Sequence, residues 1–191
     1  MSSVMPDGNG FILLDGARYK HATAWLYQHF PSHQPTPLLL GTAYEAIADG
    51  GPILLEASVG SMAYEAWRHG AEIKDGLWLE STASMDDMQR ILRRRLRVFT
   101  PEHGEFWLRL GDARPLYQAW QRGVQWPEGF WHRISRVWLH HEGKTFCAWQ
   151  NEHPENDGAP AECGLAAQMT LDWRLLEALA EQNDTAQEAL L

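Results

Sequence analysis

Only two cysteines, Cys147 and Cys163, occur in 191 residues, and that scarcity excludes the stapled architecture of small disulfide-rich secreted domains. Both read as reduced thiols, one in a strand and one in a loop. Long apolar runs are missing too. No window approaches the ~18 uninterrupted apolar residues of a membrane-spanning helix, so no membrane association is expected. The opening M-S-S-V-M-P-D-G-N-G has neither a basic region nor an apolar stretch, which predicts no signal peptide and a cytoplasmic location. Positive charge is in deficit: 16 Lys+Arg against 25 Asp+Glu leave a formal net charge of −9. A nucleic-acid binder would carry a basic surplus, so no nucleic-acid partner is expected.

Motifs that carry chemistry are equally sparse. CxxC, HxH and HExxH do not occur. His29 and His33 have helical ligand spacing, but Pro31 between them breaks the helix. His140 and His141 are neighbours in a strand and point to opposite faces. Gly60-Ser61 lacks the G-x-S-x-G elbow, and Ser61 suits a helix cap. Asp86 and Asp87 stand where a helix N-terminus favours carboxylates. The glycines of Asp7–Gly10 precede a strand, so they form no phosphate loop. No catalytic constellation, metal or cofactor is expected, and no internal repeat is present.

What the chain does contain centres on Glu105–Trp120, E-F-W-L-R-L-G-D-A-R-P-L-Y-Q-A-W. Phe106, Leu108 and Leu110 alternate with Trp107 and Arg109, as a strand with one apolar face requires. Asp112 is a preferred N-cap, Pro115 fits the first helical turn, and Leu116, Tyr117 and Trp120 share a helix face. This strand–turn–helix joint should bring Arg109, Asp112 and Arg114 together at the end of a central strand, with Asp112 the nearest partner for a buried arginine.

Other segments alternate strand and helix. Phe11–Asp15, Ile53–Ala57, Gly76–Ser81, Arg97–Thr100, Ile134–His140 and Lys144–Gln150 read as strands, the last two joined by Glu142-Gly143 as a hairpin. Helices are expected over Ala17–Phe30, Ala43–Ala48, Met62–His69 (capped by Ser61, with Met62, Ala66 and Trp67 inward), from Ser84 through Leu96, and from Thr170 through Glu181. The predicted class is α/β (α+β): a mixed sheet flanked by helices, with a short C-terminal helical segment. Residues 1–150 should form the α/β lobe, and 151–191 an acidic linker and C-terminal helix. That second part carries a charge of −8, so the acidity belongs to the tail.

Two surpluses point to binding. Arginines at 90, 93, 94, 95 and 97 read first as a solvated helix face, and alternatively as a docking face for an acidic partner or for this chain's own acidic tail. The ten tryptophans divide as well. Trp25, Trp67, Trp78, Trp107 and Trp120 lie in regular elements and are expected in the core. Trp126, Phe130 and Trp131 sit in a Gly/Pro-broken loop, where they either anchor a partner or fold back onto the core. Trp173 and Leu176 widen the apolar surface of the last helix beyond one face, as partner binding would require.

F-W-L-R-L-G-D-A-R resembles the "L-R-F-x-D-P-R" signature of the type VI secretion effector-chaperone (adaptor) family, long catalogued as a domain of unknown function. Arg109, Asp112 and Arg114 fall on its Arg, Asp and Arg, and Ala113 replaces its proline. F-I-L-L-D-G-A, which includes Asp15 and Gly16, is similar to the family's opening "Y-x-L-L-D-G-A", and G-G-P-I-L-L-E to its "aPyLv" strand. The resemblance implies a carrier without catalysis. It would bind an effector toxin in the producing cell and help load it onto the type VI spike protein, with Asp15, Gly16, Arg109, Asp112 and Arg114 architectural. The rival readings are a small hydrolase using Asp112, Arg109 and His103 or His132, and a generic peptide-binding module.

Overall fold

The computed structural model describes residues 5–180. Its centre is strand β1 (Gly10–Asp15), every residue of which is buried. A strand covered on both faces reads as a continuous apolar run, and F-I-L-L is one. Around it lie β2 (Thr36–Pro37), β3 (Pro52–Glu56), β4 (Leu77–Glu80), β7 (Arg136–His141) and β8 (Lys144–Gln150), in the order β2-β3-β1-β4-β7-β8. Each neighbouring pair is antiparallel. Glu142 and Gly143 both take positive φ, 47° and 76°, as the tight turn between β7 and β8 demands.

Register divides the core in two. Ile12, Trp78 and Trp138 stand side by side across β1, β4 and β7 and face α1 (Ala22–His29) and α2 (Met62–His69). Leu13, Leu77 and Leu139 face the other way, onto α3 (Met85–Arg93), α4 (Ala113–Gln121) and α5 (Trp173–Ala180). The result is an α+β fold of three layers. Met169, Leu171, Leu175 and Ala178 share a cluster with Phe11 and Leu54, so the chain after residue 150 packs into the same core as β1.

The helix starts predicted at Ser61, Ser84 and Asp112 are real: each side chain accepts from a first-turn amide, of Tyr64, Asp87 and Arg114 respectively. Other expectations are corrected. α1 starts at Ala22 because Asp49 caps it from a distant loop, accepting from Ala22 N at 3.1 Å and Thr23 N at 2.7 Å. Residues 16–18 are instead a 3-10 turn, as is Glu45–Gly50. In α2 the inward residues are Ala63, Tyr64 and Trp67, while Met62 is exposed. α5 starts at Trp173, where Asp172 Oδ1 accepts from Leu175 N at 2.8 Å. Thr170 instead bridges to Phe99, and the expected end at Glu181 lies outside the described residues.

The stretch expected as the central strand lies at the periphery. β5 (Arg97–Phe99) and β6 (Glu105–Trp107) form a separate antiparallel ribbon. The alternation was right about direction but not about place. Leu108 and Leu110 are buried, whereas Trp107 and, on α4, Trp120 remain substantially exposed.

Candidate functional site

β1 ends at Asp15, and the chain between β6 and α4 folds against that end. Gly111 permits the approach: a Cβ there would lie 2.4 Å from the carbonyl carbon of Leu14. Gly16 is as tightly held, since a Cβ would lie 2.1 Å from the Asp49 carbonyl oxygen. The two stretches L-L-D-G-A and L-R-L-G-D-A-R therefore meet in space, and side chains join them. Arg109 Nη2 donates to Asp15 Oδ2 at 2.5 Å and lies 3.4 Å from Asp112 Oδ2. Asp112 accepts from Arg114 three times, from its amide at 3.1 Å, Nε at 2.9 Å and Nη2 at 2.8 Å. Asp15 also accepts from Ala17 N at 3.0 Å, and Ala113 N donates to the Asp75 carbonyl at 2.7 Å.

Burial within this corner is uneven. The Asp112 side chain is 2% exposed, whereas those of Arg109 and Arg114 are 50% and 37% exposed. The expectation of a buried arginine is therefore reversed, because it is the carboxylate that lies inside. Burial alone would raise the Asp112 pKa. Hydrogen bonds from Arg114 and the charges of Arg114 and Arg109 outweigh it and hold the acid below its ordinary value.

The profile of one protein family, described as a domain of unknown function (DUF4123), matches residues 10–126, more than half of the chain. The chain belongs to this family. No curated protein and no solved structure matches it. In DUF4123 terms the matched segment begins at β1 and ends after α4, so the corner joins the two ends of the family's span.

Beside the corner opens a cleft of about 130 Å³ with apolar walls from Leu108, Pro115, Leu116, Trp126 and Leu179, and with Arg109, Asp112 and Arg114 at one side. Among the described residues no histidine lines it. His132 lies elsewhere, its Nδ1 donating to the Asn156 carbonyl at 3.1 Å and its Nε2 3.8 Å from Asp157. His103 occupies the turn before β6 with φ 64°. The structure thus does not bring to Asp112 the imidazole that a hydrolase reading requires.

Of the aromatic anchors expected for a partner, Phe130 and Trp131 are buried, as is Leu176, and Trp126 is half-buried. The loop folds back onto the core: Phe130 stacks on Trp126 at 4.3 Å and Trp131 meets Trp149 at 6.4 Å between centroids. Trp173 remains 46% exposed. The surface aromatics missed in the sequence include Trp120 and the pair Trp107 and Tyr44, which meet edge to face at 5.1 Å.

The arginine run is likewise corrected. Arg95 is 1% exposed and uses all three nitrogens, donating to the carbonyls of Phe130 at 2.7 Å, Ile91 at 3.2 Å and Gly129 at 3.0 Å, and to Asp157 at 2.5 Å. Arg94 donates to the Ala159 carbonyl at 2.8 Å, Asp157 at 3.2 Å and Glu162 at 3.3 Å. The alternative reading, docking onto the chain's own acidic segment, holds for these two. Arg90 does remain a solvated residue paired with Asp87. A signal was present: Arg95 lies four residues after Ile91 and three after Leu92, where the buried stripe of α3 would continue past its end at Arg93.

Proposed function

We propose that this protein is a non-enzymatic adaptor that binds a toxic effector in the cytoplasm of the producing cell and helps load it onto the spike protein of the type VI secretion apparatus. Membership of the DUF4123 family and the resemblance of its two motifs to those of the effector-chaperone family support this reading. The observation that carries it is the state of the corner. Its carboxylates are occupied by guanidiniums and by backbone amides of the turns they hold, which is how scaffolding is built. Large apolar side chains meanwhile reach solvent at Trp107, Trp120 and Trp173, and aromatic side chains left at the surface are the kind that anchor partners.

Such a carrier works by mass action. It covers apolar surface that the free effector exposes, and yields it when the spike offers a better-matched site. No nucleotide or cofactor enters the cycle. The test is co-expression with the toxin encoded beside its gene and with the spike protein. A complex that co-elutes from size exclusion, and toxin secretion that stops when this chain is deleted, are the expected results. Free elution of both proteins with secretion intact would overturn the reading.

A further inference from the structure

We propose that the cleft between β6 and α4 docks an acidic, apolar segment of a partner protein, taking one large apolar side chain into the cleft and a carboxylate onto Arg109. The proposal deepens the adaptor reading, on which it rests for the existence of a protein partner.

Size and lining come first. A volume of about 130 Å³ is close to the ~150 Å³ apolar cavity that admits one benzene molecule, so it suits one aromatic or branched aliphatic side chain. Leu108, Pro115 and Leu116 supply the apolar contact. Trp107 lines the same cleft while 41% exposed, and Tyr44 stands edge-on to it. Trp, Tyr and Arg are the residue types that dominate interface energetics, and here they lie together.

Charge then selects the partner. The four ionic groups of the corner sum to zero, but Asp112 and Asp15 are 2% and 10% exposed while Arg109 and Arg114 are 50% and 37% exposed. The surface they present is therefore cationic, on a chain of net charge −9. Among the described residues Arg109 engages only through Nη2, and Arg114 leaves Nη1 unused. A planar guanidinium with open donors is suited to a carboxylate. The indole N–H of Trp126, which lines the cleft, is also buried with no hydrogen-bond acceptor among the described residues, as are those of Trp131 and Trp138 in the core.

The test uses the full chain and a short fluorescein-labelled peptide of Leu-Glu repeats, read by fluorescence anisotropy against a Leu-Lys counterpart. The Leu-Glu peptide should bind at least ~10-fold more tightly than the Leu-Lys one. Trp107→Ala and Arg109→Gln should each weaken it by about tenfold. Tyr27→Ala should leave binding unchanged, since Tyr27 is exposed on α1, across the sheet from the cleft. Because Arg109 also braces the corner, Trp107→Ala is the deciding variant. Equal binding of the two peptides, or undiminished binding by Trp107→Ala, overturns the proposal. The adaptor reading fails separately. Peptide binding with no toxin co-purification sinks that reading and leaves the cleft, whereas toxin that co-purifies undiminished with Trp107→Ala sinks the cleft and leaves the adaptor.

Discussion

At the corner between β1 and α4 the carboxylates lie inside and the guanidiniums reach water; at the end of α3 the order is inverted. There Arg94 and Arg95 are 7% and 1% exposed, and their shared partner Asp157 is 17% exposed. The desolvation penalty falls on whichever charge is inside, so each cluster has a different weak point. In the corner it is Asp112. In the second cluster it is Arg95, each of whose three nitrogens donates to a carbonyl or to Asp157. A cluster whose guanidiniums are buried and engaged at every nitrogen can only hold structure, whereas one that turns half-used guanidiniums outward can hold structure and also meet a partner.

The contrast can be broken by substitution. Arg95→Ala should cost most, about 3–5 kcal/mol, because it leaves three buried carbonyls and Asp157 without their donor. At ~2–4 °C per kcal/mol for a chain of this size, thermal denaturation should show a fall of roughly 6–20 °C. A shift as small as that of an exposed pair would mean the inverted order carries no weight. Asp112→Ala should come next, at about 2 kcal/mol, since it removes a helix cap along with the inner charge. Asp112→Asn, which keeps a capping oxygen, should cost less by the same measurement. Arg109→Ala should cost ~1 kcal/mol or less, because its guanidinium is half in solvent and Asp112 keeps Arg114. A loss equal to that of Asp112→Ala would erase the distinction between inner and outer charge.

Acid sharpens the comparison last. Asp112 and Asp157 are both depressed in the fold: burial opposes the shift in each, while hydrogen bonds and guanidinium charge prevail. An unfolded Asp titrates near 3.9. Their stabilisation is therefore complete above about that pH, and is lost as pH falls through the lower folded values. Urea midpoints should drop between pH 5 and pH 2, and Asp112→Asn should flatten part of that drop. An unchanged slope would assign the acid sensitivity to other groups.

Much of the local structure was legible. Ser61, Ser84 and Asp112 announce helix starts because a cap is a contact within one turn. The β7–β8 hairpin follows from its two-residue turn. What depended on distant chain was not legible. Nothing near Ala22 indicates that Asp49 will cap α1, and period-two alternation in Glu105–Leu110 reports which side is apolar, not whether the strand joins the main sheet. The quartet of the corner was three-quarters visible as a local cluster, since Arg109, Asp112 and Arg114 are close in sequence. Asp15 joins across 94 positions. Arg95 looked like one more surface arginine because a charge run is usually solvated, and its burial depends on Asp157 in a segment with no periodic pattern.

The strap formed by Asp157, Ala159 and Glu162 lies beyond the family-matched residues 10–126, yet it neutralises arginines within them. Cutting the chain at residue 126 or 150 would strand two guanidiniums in an oily interior. The packed unit is thus longer than its sequence signature, and anyone trimming this protein for crystals or fusions should keep the chain attached through α5, whose Leu175 and Ala178 share the core with β1.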